Sequence, residues 1–229
     1  MSVDVSKNVQ ELQEHITAIC QKVERHVEEI KVIAVTKYVS EDTTVAALRA
    51  GIEHIGENRA EEGVQKWQAL GQQGTWHFIG SLQSKKVKHV IDKFDYFHSL
   101  DRLSLAKEMD KRANKGQKVR CFVQVNVSGE ETKSGVTAEE LFSFIEQLAE
   151  FEAIEVVGLM TMAPFYDDPE LTRPIFRHLR ELKEEIERKQ YRHAPCHELS
   201  MGMSNDYHVA LEEGATFIRV GTALVGKEY

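Results

Sequence analysis

The sequence predicts an α/β fold, a single (β/α)8 TIM barrel spanning residues 1–229. Three observations lead there. Short continuous apolar runs alternate with longer stretches whose apolar residues recur every three or four positions. Eight of each are present, and the 229 residues are close to the ~250 typical of eight closed βα units. Continuous apolar runs read as strands buried on both faces, as in a parallel sheet. Strict alternation with helices implies parallel strands joined by right-handed crossovers. A doubly wound open sheet is the alternative arrangement of the same elements.

The chain opens with a helix, marked by Val5, Val9, Leu12, Ile16, Ile19, Val23 and Val27 on one face. The first strand is the unbroken run Val32–Val35. Helical stretches then lie near 41–51, 58–70, 84–92, 101–116, 137–150, 170–189 and 204–213. The strands between and after them are Ile52–Ile55, Trp76–Ile79, Tyr96–His98, Val119–Val125, Ile154–Leu159, His197–Leu199 and Thr216–Val220. Because a helix comes first, the N-terminal helix completes the outer ring.

Bulk properties exclude several classes. The formal net charge of -8 argues against nucleic acid, whose phosphates call for clustered Lys and Arg, and against anionic membranes. The N-terminus MSVDVSKNVQELQEH has no apolar core of a secretory signal, and no apolar run approaches ~18 residues. Cys20, Cys121 and Cys196 are few, odd in number and widely spaced, as expected of reduced thiols in a cytoplasmic protein. Barrels of this size exist as monomers, and a monomer is expected.

In barrels of this kind the reactive groups stand where strands end and βα loops begin. Lys37 directly extends the first apolar run, where it reads either as an exposed lysine on a loop or as a lysine at the barrel mouth. Burial disfavours an ammonium, and the free amine it leaves attacks aldehydes. Asn58 follows the second strand, where it serves as a helix N-cap or points its amide at a ligand. Ser81, Asn126 and Thr161 follow the third, fifth and sixth strands. Ser200-Met201-Gly202-Met203-Ser204 follows the seventh, and Arg219-Val220-Gly221-Thr222 closes the eighth. Loops after strands seven and eight form the usual phosphate site of the fold. Gly202 and Gly221 allow close backbone approach there, and Ser200, Ser204 and Thr222 supply hydroxyls. Ser204 also reads as the N-cap of the next helix. His193, Cys196 and His197 lie close together, but their spacing is not that of a zinc site, and no metal is expected.

These residues fall in motifs that resemble one family. AVTK with Lys37, GENR at 56–59, WHFIGSLQSKK at 76–86, QVNVSGEETKSG at 124–135, GLMTM at 158–162, LSMGMSNDY at 199–207 and RVGTALVG at 219–226 occur in order along nearly the whole chain. The chain resembles the pyridoxal phosphate homeostasis proteins, which are themselves similar to the N-terminal barrel of alanine racemase. The resemblance implies pyridoxal 5′-phosphate (PLP) as cofactor, held as a Schiff base on Lys37. It implies Arg219 facing the pyridine nitrogen, Ser204, Gly221 and Thr222 at the phosphate, and Asn58 close by; Ser200 and Met201 belong to the same expected set.

The expected role is that of a non-catalytic carrier and buffer of PLP, with apo PLP-dependent enzymes as recipients and indirect effects on amino-acid metabolism. A PLP racemase needs a second base, which alanine racemase draws from a further domain, and the sequence runs only to Tyr229 after strand eight. Tyr38, Tyr166 and Tyr207 are the candidate substitutes in the rival reading, a slow amino-acid racemase or other PLP enzyme. Lys133, in the loop after strand five, is a possible transit site for PLP.

Overall fold

The computed structural model describes residues 3–130 and 134–229. Its eight strands are β1 Lys31–Val35, β2 His54–Glu57, β3 Thr75–Phe78, β4 Tyr96–Leu100, β5 Val119–Gln124, β6 Ile154–Met160, β7 Glu198–Met203 and β8 Phe217–Val220. They pair in sequence order, all parallel. The strand β1 also pairs with β8, Ile33 opposite Arg219, which closes the sheet into a barrel and rules out the open alternative.

The helices are α1 Val5–Lys22, α2 Glu41–Arg49, α3 Ala60–Leu70, α4 Val87–Val90, α5 Leu103–Arg112, α6 Ala138–Gln147, α7 Arg173–Arg188, α8 Tyr207–Glu212 and α9 Thr222–Val225. As expected, α1 joins the outer ring, where it packs on α8, α9 and α2. It begins at Asp4, whose carboxylate accepts the Lys7 N–H, and buries Val5, Val9, Leu12, Ile16 and Cys20. It stops short of the expected Val27. Glu24 takes a left-handed conformation at φ 57°, the Arg25 N–H bonds the Cys20 carbonyl, and the turn ends the helix as an αL cap does. Val27 is left half-exposed in a 3-10 turn.

Apolar side chains fill two compartments. The larger lies between strands and helices. The smaller lies inside the barrel and is made by Ile33, Phe122, Met160 and Phe217. Strand alternation sorts residues between them: Ala34 and Met201 pack outward, while Ile33 and Phe217 point inward.

Three boundaries differ from expectation in ways that matter below. The strand β7 extends to Met203, so Ser200 and Met201 lie within it rather than beyond it. Its register shifts between Ser200 and Met203, around Gly202 at φ 94°. A Cβ on Gly202 would stand 2.6 Å from that of Ala210, so this buried glycine lets α8 pack on the barrel. The helix α8 starts at Tyr207 with Asp206 before it, and α3 starts at Ala60, so neither Ser204 nor Asn58 is an N-cap. The third is α9, a short helix after β8 that the strand count did not anticipate.

Candidate functional site

The C-terminal ends of the strands surround a cavity of about 820 Å³. Lys37, Asn58, Ser204, Arg219, Gly221 and Thr222 all line it. So do Tyr38, Ser81, Gln124, Asn126, Met162, Phe165 and Met203. Six of the residues expected at a ligand therefore share one wall system. Ser200 and Met201 do not. Ser200 is fully buried beneath Arg219, and Met201 is fully buried against the helices, because both sit inside β7.

Lys37 stands two residues past the end of β1, in phase with the inward-facing Ile33 and Val35. Its Nζ lies 4.9 Å from the centre of the Tyr38 ring, and among the described residues it has no hydrogen-bond or ion-pair partner. The backbone around it is tightly held. Lys66, on the buried face of α3, donates from Nζ to the carbonyl oxygens of Thr36 at 2.7 Å and Val39 at 3.1 Å. The same Nζ is 2.7 Å from Oε1 of Glu57, and the Thr36 hydroxyl donates to that oxygen at 2.5 Å. A buried ion pair thus brackets the lysine that projects into the cavity.

Arg219 closes the floor. It is 5% exposed; Nη1 donates to Ser200 Oγ at 2.6 Å and Nη2 to the Thr161 carbonyl at 2.9 Å. Burial pulls its pKa down to about 10, with Asp206 acting in the opposite sense. It remains a cation at neutral pH, held by a hydroxyl and a carbonyl.

The loop after β7 is a tight turn. Asp206 Oδ1 accepts the Met203 N–H at 2.7 Å, and burial pushes the Asp206 carboxyl up, against the Met203 amide and Arg219. This turn leaves Ser204 exposed at the cavity edge. Opposite it, Gly221 and Thr222 begin α9, whose first N–H groups have no intrahelical partner. Asn58 contributes a buried Oδ1 without a donor among the described residues. A buried acceptor of that kind calls for a partner, and Asn58 stands on the cavity wall.

Other expected residues have local jobs. Asn126 organises its own loop, accepting from Ser128 Oγ and the Gly129 N–H. Thr161 donates to the Val125 carbonyl. Of the candidate bases, Tyr38 lies on the cavity, whereas the Tyr207 hydroxyl is 3.2 Å from His15 on α1. Lys133 lies outside the described residues. His193 and His197 bond the Ile145 carbonyl and Glu187, and no cluster of metal-ligating side chains is found among the described residues. No helix among them is long and apolar enough to cross a membrane.

Sequence reasoning passed over Gln124, Glu57 and Lys66. Gln124 ends β5, one residue before the expected end. Lys66 was detectable, because Ala60, Gly63, Lys66 and Leu70 share the buried face of α3 by their spacing.

The closed parallel barrel is that of a known class: residues 8–228 match the family of the alanine racemase N-terminal domain. A pyridoxal phosphate homeostasis protein of Aquifex aeolicus is 44% identical over 93% of this chain and 94% of its own length. The solved structure of PipY from Synechococcus elongatus, with PLP bound, has a TM-score of 0.84 and 30% identity, covering 97% of this chain and all of that one. Alanine racemase of Clostridium difficile shares the fold, with a TM-score of 0.76 at 16% identity, and this chain covers 56% of its length. The chain belongs to the pyridoxal phosphate homeostasis protein family.

Proposed function

We propose that this chain binds PLP in the Lys37–Arg219 cavity, as an imine on Lys37 Nζ, and serves PLP homeostasis as a carrier and buffer. The observation that carries the reading is the juxtaposition, on one cavity, of a lysine without a partner among the described residues and a charged, buried arginine, the first just past β1 and the second on its neighbour β8. The relatives' names and the PLP-bound neighbour support it. The cavity's polar groups fit the molecule: an amine for the aldehyde, hydroxyls of Ser204 and Thr222 for the phosphate, and the orphaned Asn58 oxygen for a polar substituent.

Bound there, PLP supplies an aldehyde that condenses reversibly with amines, and a ring that withdraws electrons when its nitrogen is protonated. Arg219 has only donors and keeps its charge at neutral pH. Were the ring nitrogen to face it, Arg219 would disfavour protonation there and weaken the ring as an electron sink. That suits holding and exchanging PLP better than carbanion chemistry. The mouth suits exchange too, since Phe165 is 78% exposed on its rim. Apo PLP-dependent enzymes are the expected recipients.

The test is the absorption spectrum of the purified protein beside Lys37→Ala. An imine band absent from the variant and removed by borohydride is expected. Pyridoxal lacking the phosphate is expected to bind much more weakly. A protein that stays colourless after adding PLP would sink the reading. D-alanine formed from L-alanine at ordinary enzyme rates, and lost in Lys37→Ala, would replace the carrier with a racemase.

A further inference from the structure

Five polar side chains from five strands form one hydrogen-bonded line through the interior of the barrel. From the cavity downward, Arg219 Nη1 is 2.6 Å from Ser200 Oγ, and Ser200 Oγ is 2.8 Å from His98 Nδ1. His98 Nε2 is 2.9 Å from His77 Nδ1, and His77 Nε2 is 2.9 Å from His54 Nδ1. Ser200, His98 and His77 are fully buried, while His54, the first residue of β2, is partly exposed at the opposite end of the barrel. The line runs through apolar surroundings. His98 stacks on Phe122 with ring centres 4.3 Å apart, and His77 stacks on Tyr96 at 4.8 Å.

Neutral imidazole has one donor and one acceptor nitrogen, so such a line admits two self-consistent proton orders. In one, Ser200 donates to His98 Nδ1, and each histidine passes an Nε2–H to the next. In the other, each histidine carries its proton on Nδ1, and the line points back toward Ser200. Arg219 decides between them. A guanidinium has no acceptor, so Ser200 Oγ must accept from it. In the reversed order Ser200 would accept from His98 as well. Its own hydroxyl proton would then have no acceptor among the described residues, at a fully buried site. A buried donor left without an acceptor carries its full desolvation cost uncompensated. The reversed order would also aim the positive end of an N–H dipole at the guanidinium charge.

We propose that Arg219 imposes a single proton order, Arg219 to Ser200 to His98 to His77 to His54, with the three histidines as neutral Nε2–H tautomers, and that Ser200 and His98 are positioning residues for Arg219 rather than parts of a proton path. Each donor in the line polarises the next acceptor, which strengthens the Arg219–Ser200 bond at its head. Passing a proton along the line toward His54 would require Arg219 to give one up, and burial leaves its pKa still near 10. The guanidinium is therefore fixed in direction and charge at the cavity floor. Its importance for PLP rests on the proposed function; the proton order does not.

The experiment is a histidine and arginine side-chain ¹⁵N spectrum of the apo protein near pH 7, recorded for wild type, His98→Phe and His98→Asn. In wild type, His77 and His98 are expected to carry the proton on Nε2 and none on Nδ1. The Arg219 Nε–H signal is expected to shift in His98→Phe, which removes the acceptor for Ser200. It is expected to return toward wild type in His98→Asn, which offers an amide oxygen near the lost Nδ1. With PLP added, His98→Phe is expected to weaken retention about tenfold and His98→Asn about twofold, since a net hydrogen bond to a charged group of ~1.4 kcal/mol or more is one decade. Finding His77 or His98 as an Nδ1–H tautomer or an imidazolium would overturn the proposal, as would an Arg219 signal indifferent to His98→Phe. The wild-type spectrum needs no variant to fold. A protein that takes up no PLP would overturn the proposed function while the apo spectra still decide the proton order.

Discussion

Lys66 Nζ sits 2.7 Å from both Glu57 Oε1 and the Thr36 carbonyl oxygen, so one buried ammonium joins an ion pair to the backbone next to Lys37. The two roles separate on substitution. Lys66→Met leaves the Glu57 carboxylate, 1% exposed, without its counter-charge. Breaking a buried pair in this way costs about 3–5 kcal/mol, or roughly 6–20 °C in Tm for a chain of this size. Replacing both partners, Lys66→Met with Glu57→Leu, removes the stranded charge and is expected to recover most of that loss. It does not restore donors to the Thr36 and Val39 carbonyls. The double variant is therefore expected to melt near wild type yet hold PLP more weakly. Thermal melts with PLP titrations check this, and recovery of both properties together would show that the pair has no part in placing Lys37.

A second grip on the same loop comes from the chain's last residues. The Glu228 N–H donates to the Tyr38 carbonyl, and its carboxylate accepts from the Ser40 N–H at 2.7 Å and from the Thr43 hydroxyl. The Tyr229 hydroxyl donates to the Val39 carbonyl at 2.9 Å. The Thr43 hydroxyl first, and the Ser40 amide after it, hold the Glu228 carboxyl below its ordinary value. A carboxylate with a depressed folded pKa contributes above its unfolded value, and the contribution is lost as pH falls through the folded one. The clasp is thus expected to be closed at neutral pH and to open only below about pH 4.3. Amide exchange at Ser40, followed from pH 6 downward, checks it. Tyr229→Phe is expected to cost at most about 1 kcal/mol, because Lys66 still serves the Val39 carbonyl, while speeding release of PLP.

The alternation of runs such as Val32–Val35 with helical stretches made the closed barrel legible, because burial on both faces leaves an unbroken apolar signal. Lys37, Arg219, Gly221 and Thr222 were legible for the same reason, since each follows or ends such a run. Ser200 and Met201 were misplaced because β7 continues through the sequence Leu-Ser-Met-Gly-Met, whose polar residue and glycine look like a strand's end. The strand continues through a register shift around Gly202, a position that Ala210 of the following helix leaves no room to fill with a side chain. The line of histidines was not legible. His54, His77 and His98 come from separate strands, and only their register brings the rings together.

Gly80 marks a close crossing of backbones. A Cβ there would run into the Asn58 carbonyl oxygen and stand 2.8 Å from the carbonyl carbon and Cα of Asn58. None of these atoms can rotate away, so Gly80→Ala must push the loops after β2 and β3 apart. The expected cost is about 1–3 kcal/mol, or roughly 2–12 °C in Tm. Asn58 lies on the cavity wall, so the displacement is expected to weaken PLP as well. Gly71→Ala is the control for glycine loss as such: its left-handed φ of 66° carries a strain of its own, but no atom lies near the added methyl. Equal melting losses with unchanged PLP affinity in both variants would remove Asn58 from the site.

The buried histidines make stability fall in mild acid. His77 is held well below the imidazole range by burial first, then by His98 and His54; His98 is held there by burial first, then by Arg219. In the unfolded chain both titrate near 6.5. A base with a depressed folded pKa binds fewer protons in the native state than in the unfolded one. Stability is therefore full above the unfolded value and declines as pH falls below it. Each such histidine contributes a slope of at most about 1.4 kcal/mol per pH unit below that value, so the decline steepens from pH 8 toward pH 5. The surface carboxylates held low by arginine, such as Glu108 and Glu170, titrate below that window. Urea midpoints at pH 8, 6.5, 5.8 and 5.0 measure the slope, and His77→Gln is expected to remove one proton's share of it. A profile flat to pH 5 in wild type would mean that these rings do not remain neutral inside the barrel, and the order of protons along the line would have to be assigned afresh.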